Sequence, residues 1–232
     1  MQTLSKSRLG KFTASEIHKL FTGGTTRQTY IFEKAEEMAT GRMKEFSNKH
    51  TDHGHMYEHE AIMSFNEVTG LNAENLLQEF FPINENCGAT PDAKIVGFND
   101  DLLASMDVKC PTTTFFKQKM LFINESKPQF QNVPKEMFYQ GQMQMLALSE
   151  HNKKLGLPPV TEHYLVRYLT ACDTDYYGNS IEYDLPLDVR LFYQKIVADY
   201  RVQAQIIGLV EAAAKERDVL LQIMKKPIKY DF

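Results

Sequence analysis

Three short segments in the middle of the chain constrain its fold more than any other part of the sequence. They read LLQEFFPI (76–83), AKIVGF (93–98) and LLASMDVKC (102–110), and Asn, Asp and Gly separate them. Short runs rich in β-forming residues and bounded by turn residues are typical of strands. The sequence therefore predicts a strand meander, with FNDD (98–101) as the turn between the last two strands.

Helical patterns lie on both sides of this meander. Thr13 and Glu16 fit a capping box that would begin a short helix ending near Leu20, before Gly23 and Gly24. The remaining pattern predicts helices over 26–46, 55–68, 113–122, 133–148 and 186–224, and strands over 162–171 and 180–186. We therefore expect a mixed α/β core, with helices packed on a small sheet, in a single domain spanning 1–232.

The composition favours a cytoplasmic protein without a membrane span. No run of 18 or more apolar residues occurs, and the N-terminus lacks the apolar region of a secretory signal. Cys87, Cys110 and Cys172 are too widely spaced to predict a disulfide framework. The formal net charge of −4 argues against a general nucleic-acid binder but leaves room for a local basic groove.

Two acidic positions in the meander suggest metal chemistry. Pro91-Asp92 begins one predicted strand, and Asp107-Val108-Lys109 ends the next. Residues i and i+2 of a strand face the same side, so Asp107 and Lys109 would share a site while Val108 faces the core. Carboxylates brought close together repel unless a cation lies between them, and Mg²⁺ or Mn²⁺ suits oxygen ligands. With Lys109 to hold or polarise a water, the two aspartates and the cation would suit phosphodiester hydrolysis. The alternative is that Asp92 caps a turn and that Asp107 and Lys109 form a surface pair.

A second motif suggests a different metal. His55-Met-Tyr-Glu58-His59 fits H-x-x-E-H, the ligand order of inverted zinc peptidases, and Glu125 could be nominated as a third ligand. The alternatives are that the histidines are solvated, and that Glu58 supplies a third acid to the site in the meander.

Polar residues also mark the later helix. Tyr139 and Gln142 are spaced i, i+3 and would share a helix face. The neighbouring methionines resemble core residues, but three glutamines, at 140, 142 and 144, are too many for a buried stripe. We expect some of them to face a polar cleft.

Five segments in order carry a family resemblance: RLGKFTASEIHKL, GHMYEHEA, GATPDA, MDVKCPTTT and FYQGQMQ. With these segments the chain resembles the phage λ exonuclease, or YqaJ-type viral recombinase, branch of the PD-(D/E)XK nucleases. The resemblance implies a restriction-endonuclease-like core. It also implies a metal-dependent 5′-to-3′ exonuclease that degrades double-stranded DNA from 5′-phosphorylated ends and leaves 3′ single-stranded tails for phage-type recombination.

The resemblance also implies residue roles. Asp92, Asp107 and the carbonyl of Val108 would bind Mg²⁺ (or Mn²⁺), Lys109 would position or activate the attacking water, and Glu58 would be the helix-borne acid of the metal site. The pattern departs from the family at two places: Ala93 stands where glycine is usual, and position 107 is Asp where the λ-like pattern has Glu.

Further roles follow from the same resemblance. Tyr139 and Gln142 would line the site, and the residues matching a 5′-phosphate pocket are Arg8, Thr13, Ser15 and Thr90. The implied partners are double-stranded DNA ends, a single-strand annealing protein, and two further copies of the chain in a trimeric ring. Three cysteines are too few for the iron–sulfur cluster of some related nucleases. A structure-specific endonuclease and a non-catalytic DNA-end-binding module remain as alternatives.

Overall fold

The fold is described from a computed structural model, for residues 7–43, 49–97, 101–110, 133–169, 172–174, 180–182 and 186–226. Its helices are α1 (His18–Thr22), α2 (Gly24–Thr40), α3 (Lys49–Thr69), α4 (Lys135–Lys154), α5 (Leu187–Arg190) and α6 (Tyr200–Met224), with a 3₁₀ turn at Ala14–Glu16. Its strands are β1 (Phe12–Thr13), β2 (Ala73–Asn75), β3 (Phe81–Pro82), β4 (Cys87–Ala89), β5 (Ala93–Val96), β6 (Leu102–Lys109), β7 (Glu162–Tyr168), β8 (Cys172–Thr174), β9 (Ser180–Glu182) and β10 (Leu191–Val197).

A five-stranded mixed sheet forms the centre, in the order β10-β7-β6-β5-β2. Strands β6 and β7 are parallel, and the other neighbouring pairs are antiparallel. One face buries Met106, Val108 and Val166 against Phe65 of α3. The other face packs against α4, and Leu165 there belongs to a second core cluster that also includes Ile206 of α6. The predicted mixed α/β fold, with helices flanking a small sheet, is confirmed.

The parallel pairing of β6 and β7 decides where the acidic site lies. Parallel neighbours need a crossover, and here the chain returns to the sheet through α4. In the parallel register Asp107 pairs with Leu165 and Lys109 with Arg167, whereas Val108 pairs with Val166. Because side chains alternate along a strand, Asp107 and Lys109 lie on the face covered by α4, while Val108 belongs to the α3 face.

A small three-stranded sheet, β1-β4-β3, joins the N-terminal segment to the meander. β1 runs parallel to β4, with Phe12 opposite Cys87 and Thr13 opposite Gly88. The capping-box prediction was wrong in its contacts. Thr13 is the N-cap of the 3₁₀ turn but makes no side-chain cap bond. Glu16 instead contacts Lys19 at 2.6 Å, so its carboxylate does not reach back to the strand.

The closing helix predicted over 186–224 was wrong in its first third. Only Leu187–Arg190 is helical there, and 191–197 is strand β10, which pairs antiparallel with β7. The following helix begins where Asp199 caps it by accepting hydrogen bonds from the N–H groups of Arg201 and Val202. Pairing with β7 overrides the helical preference of this segment.

The other boundaries differ less. The strand predicted over 76–83 is broken because Leu77 and Gln78 have left-handed backbones, at φ 46° and 66°, which end β2 before β3 begins. Helix α2 ends at Thr40, since Gly41 adopts a left-handed C-cap whose N–H donates to the carbonyl of Glu37. The helix predicted over 113–122 and part of the turn at 98–101 lie outside the described residues. No helix in the described part of the chain is long and apolar enough to cross a membrane.

Candidate active site

The two aspartates predicted from the meander meet across β5 and β6. Asp92 immediately precedes β5, its N–H donates to the carbonyl of Met106 at 3.1 Å, and its Oδ2 accepts from the N–H of Val108 at 2.7 Å. Asp107 lies next to Val108 on β6 and is 2 % exposed. The hairpin register therefore places one carboxylate against the backbone that carries the other, as the sequence predicted.

Lys109 belongs to the same cluster. Its Nζ lies 2.5 Å from Oδ2 of Asp107, two residues earlier on the same strand. The other oxygen, Oδ1, accepts hydrogen bonds from Nε2 of Gln140 at 2.7 Å and from Nε2 of Gln144 at 3.2 Å. Asp107 is thus oriented by two hydrogen bonds from α4 and by its ion pair with Lys109 on β6.

The charges of the cluster are unequally compensated. Burial raises the pKa of Asp92, and the negative charge of Asp107 raises it further. Burial also opposes ionisation of Asp107, but the Lys109 ammonium outweighs burial and lowers the pKa of Asp107. Burial disfavours the charged form of Lys109, yet the two aspartates outweigh it and raise the pKa of Lys109. The pair Asp107–Lys109 is therefore ionised, and Asp92 is left with excess negative charge around it.

Glu58 approaches the cluster from helix α3. Its Oε1 accepts a hydrogen bond from Nδ2 of Asn75 at 3.1 Å, and its charge contributes to raising the pKa of Asp92. Asn75 is the last residue of β2 and pairs with Ala93, directly after Asp92. The structure therefore brings Glu58 to the same end of the sheet, oriented by an asparagine that the sequence did not single out.

The histidines of the H-x-x-E-H motif lie on the outer side of Glu58. Nδ1 of His55 is 3.6 Å from Oε2 of Glu58, with 53 % of the His55 side chain exposed. His59 is exposed, and Glu125 lies outside the described residues. Both histidines are on a solvated face of α3, as the alternative interpretation of the motif expected.

The donor chemistry fits a divalent cation that Asp92 and Asp107 would hold. The carboxylate of Asp92 is half-buried and lies beside the buried carboxylate of Asp107, and the pKa of Asp92 is raised by burial and by the charge of Asp107. Among the described residues no three His, Cys, Asp or Glu side chains converge to hold a metal ion. Of the predicted protein ligands in this cluster, two are side chains, Asp92 and Asp107, and the third, the Val108 carbonyl, is backbone. The assignment of Glu58 as a direct metal ligand stays a prediction.

The helix α4 contributes glutamines to the site, but not the one predicted. Gln140 and Gln144, spaced i, i+4, both contact Asp107. Gln142 lies on the other side of the helix, where its Nε2 donates to the carbonyl of Val197 and its Oε1 accepts from the N–H of Asp199. The structure does not bring Gln142 to Asp107, and its predicted role in the site is not supported by its contacts.

Tyr139 likewise contacts a different part of the molecule. Its ring stacks on Phe21 of α1, with centroids 3.9 Å apart and the planes within 5°. A role for Tyr139 in the site stays a prediction. The signal that could have identified the contacting residues was the i, i+4 spacing of Gln140 and Gln144, which places two amides one turn apart.

The four residues predicted for a 5′-phosphate pocket lie around the parallel pair of β1 and β4. Thr13 ends β1 and pairs with Gly88, Ser15 follows in the 3₁₀ turn, and Thr90 follows directly after β4. Oγ1 of Thr13 and Oγ of Ser15 are 3.5 Å apart. Nε of Arg8 and Oγ1 of Thr90 are buried without a hydrogen-bond partner among the described residues. Unpaired donors of this kind are groups that an anion would satisfy.

Under the acidic cluster lies a buried histidine that the sequence did not single out. Nδ1 of His163 on β7 is 2.9 Å from Oγ of Ser105 on β6, and the ring is fully buried. Burial lowers the pKa of His163 to about 4, against which the charge of Asp107 acts. A Cβ at Gly141 would lie 2.7 Å from Cδ2 of His163, so glycine is needed where α4 crosses β7.

Comparisons with known proteins identify the family of the chain and its fold. The family model for the YqaJ-like viral recombinase domain matches residues 5–151, which include every predicted site residue. No curated protein matches the sequence.

Solved structures share the fold over nearly the whole chain. An alkaline exonuclease from Laribacter hongkongensis superimposes with a TM-score of 0.72 at 23 % identity, covering 97 % of this chain and 96 % of the other. The same exonuclease in complex with dAMP gives 0.71 at 24 % identity, with 97 % and 96 % covered. A phage-related exonuclease from Haemophilus somnus 129PT gives 0.68 at 18 % identity, with 93 % and 96 % covered.

Proposed function

Because the chain belongs to the family of YqaJ-like viral recombinase domains, we propose that it is a Mg²⁺-dependent nuclease. In this proposal it hydrolyses double-stranded DNA 5′ to 3′ from 5′-phosphorylated ends and leaves 3′ single-stranded tails for recombination. The solved structures that share this fold are those of an alkaline exonuclease, alone and in complex with dAMP, and of a phage-related exonuclease, which supports an exonuclease over an endonuclease.

The observation that carries the proposal is the cluster of the buried Asp107 with the half-buried Asp92 and Lys109. Two acids that lie together, with the pKa of Asp92 raised by burial and by the charge of Asp107, are suited to hold a cation. A lysine that contacts one of the acids is placed to act on a water or phosphate bound beside the cation. The alternative for these residues is a capped turn and a surface ion pair. That alternative does not explain why Asp107 is only 2 % exposed.

Each residue of the trio has a separate task in this proposal. Asp92, Asp107 and the carbonyl of Val108 would hold the ion, which when bound supplies a Lewis acid at the scissile phosphate. Because its pKa is raised, Lys109 stays an ammonium at neutral pH. It would therefore orient the attacking water and stabilise negative charge on the phosphate rather than accept a proton. Mn²⁺ could replace Mg²⁺, since both prefer oxygen ligands.

The surrounding residues would orient this centre. Gln140 and Gln144 hold Oδ1 of Asp107 and would keep this carboxylate oriented for the ion. Asn75 holds Oε1 of Glu58 and would keep Glu58 at the same end of the sheet, for the ion or for a water bound to it. Amides are suited to both tasks because they fix a carboxylate without changing its charge.

Selection of the 5′ end would take place at the ends of β1 and β4, where Thr13, Ser15 and Thr90 lie, together with Arg8. A terminal phosphate carries more negative charge than an internal one and offers three acceptor oxygens. The unpaired Nε of Arg8 and hydroxyl of Thr90 are donors for those oxygens. Thr90 is two residues from Asp92, so the pocket would lie about one nucleotide from the cleavage site.

A DNA-processing role also implies partners. We propose that the chain acts on DNA ends in the cytoplasm together with a single-strand annealing protein, and that three copies enclose the duplex in a ring. The single-domain organisation over 1–232 belongs to the same proposal.

The proposal is tested with three linear duplexes of one sequence and a closed circle. The duplexes carry 5′-phosphate, 5′-hydroxyl or a blocked 5′ end, and each is incubated with Mg²⁺ or with EDTA. We expect Mg²⁺-dependent release of nucleotides, fastest from the 5′-phosphorylated duplex, and Arg8→Ala should erase most of that preference. Cleavage of the circle at a comparable rate would favour the endonuclease alternative, and binding without cleavage the end-binding module.

A further inference from the structure

The backbone between Arg8 and Thr13 is held by two hydrogen bonds at Gly10. Its N–H donates to Oε2 of Glu37 at 2.9 Å, and its carbonyl accepts from Nη1 of Arg217 at 2.7 Å. Gly10 has φ +68°, and a Cβ there would lie 2.2 Å from Cγ of Met38. The segment that presents Arg8 is therefore held in a single position by side chains from α2 and α6.

Arg217 also reaches the second half of the candidate phosphate pocket. Its Nη2 donates to Oδ1 of Asn86 at 2.9 Å. The carbonyl of Asn86 accepts from the N–H of Phe12 at 2.9 Å, and Asn86 immediately precedes β4, which leads to Thr90 and Asp92. One guanidinium thus connects the Arg8 segment to the residue that begins the path through β4 to Thr90.

The chemistry of Arg217 suits this bridging role. The residue is 5 % exposed, and its guanidinium lies over the ring of Phe12, 5.8 Å from the centroid. The third donor group of this guanidinium, Nε, donates to Oδ1 of Asp218 at 2.9 Å. A planar fork can hold two acceptors at a fixed separation, which a lysine ammonium cannot do from one site.

We propose that Arg217 is a positioning residue for end selection: it fixes the Arg8 side of the phosphate pocket against the Thr90 side, and so sets the preference for 5′-phosphorylated ends. The inference rests on the proposed function. It assigns a role to helix α6, which lies beyond the residues matched by the family model.

A purely structural role would have different consequences. Loss of general stability lowers the amount of active enzyme and reduces rates on 5′-phosphate and 5′-hydroxyl duplexes by the same factor. Displacement of Arg8 relative to Thr90 weakens only the contacts to the terminal phosphate. The ratio of kcat/KM values on the two duplexes therefore reports positioning and is insensitive to the fraction folded.

Four variants separate these cases. Arg217→Met removes both bridging bonds, Arg217→Lys can restore one, and Asn86→Ala removes one acceptor while leaving the guanidinium and its bond to Gly10. The matched control is Arg27→Met, which breaks an ion pair between α2 and α6, with Nη2 2.6 Å from Oε1 of Glu216, without touching Gly10 or Asn86. Thermal unfolding is measured for every variant.

We expect the 5′-phosphate preference to fall about tenfold in Arg217→Met, because misplacement of binding groups by a fraction of an ångström has effects of this order. Asn86→Ala and Arg217→Lys should give smaller losses, and Arg27→Met should keep the wild-type ratio. A wild-type preference that survives unchanged in Asn86→Ala and in folded Arg217 variants would overturn the inference alone. Equal wild-type rates on the two duplexes would overturn the proposed pocket and the inference with it.

Discussion

The buried imidazole of His163 makes a quantitative prediction about acid stability. Burial lowers the pKa of His163 to about 4, whereas an unfolded chain would give about 6.5. Between these values the unfolded chain binds a proton that the folded chain excludes, so the free energy of unfolding rises with pH in this window. The stabilisation is fully present above pH 6.5 and is lost as the pH falls toward 4.

The expected size follows from the two pKa values. A full shift of this kind corresponds to about 3 kcal/mol, and lowering the pH from 7.5 to 5 removes about 2 kcal/mol of it. The ring is fully buried, so solvent screening does not reduce the effect. Other groups titrate in the same range, and only a comparison with a variant isolates the contribution of His163.

The test uses His163→Asn, which does not titrate and keeps a polar atom near the hydroxyl of Ser105. Urea unfolding is followed by circular dichroism at pH 7.5 and pH 5, since the chain has no tryptophan to report by fluorescence. We expect the wild type to lose about 2 kcal/mol more than the variant between the two pH values. An equal loss in both proteins would show that His163 is not held neutral in the folded state.

Three other groups give predictions. Lys109→Ala should lower cleavage at least about a hundredfold yet keep Ca²⁺ binding by calorimetry; loss of both would make the lysine structural. Gln140→Ala removes a bond to a charged oxygen and should lower kcat by roughly ten- to a hundredfold, whereas Gln142→Ala should lower the unfolding temperature and spare kcat; the reverse pattern would refute the assignment. Because burial raises the pKa of Cys87 and of Cys110 to about 12, neither should react with iodoacetamide at pH 8 until the protein is denatured; rapid alkylation in the native state, seen by mass spectrometry, would contradict this.

The acid pair could be predicted from the sequence because its geometry is local. Asp92 and Asp107 are joined by one hairpin, and Asp107 and Lys109 by the two-residue period of a strand. Neither relation depends on how the rest of the chain packs. The same is true of the end of α3 at Gly70, whose left-handed backbone closes the helix after Thr69.

Strand β10 shows what the sequence could not settle. Leu191–Val197 contains residues that suit a helix or a strand, and its choice is made by seven register pairs with β7. Those partners lie about thirty residues away, so no local pattern contains them. One local signal was available: Asp199, a favoured N-cap residue, marks the true start of α6.

The glutamine assignment depended on the rotation of α4, which no helical periodicity can supply. That rotation is fixed where Gly141 lets the helix backbone approach the ring of His163 on β7. With 141 turned toward β7, the helix presents 140 and 144 to Asp107 on the neighbouring strand and turns Gln142 toward the start of α6. Glycine has a low helix propensity, yet Gly141 is the residue that sets the orientation of the neighbouring glutamine side chains. Because residue 141 has no side chain, α4 can lie close to β7, and this position determines that Gln140 and Gln144 reach Asp107 on β6.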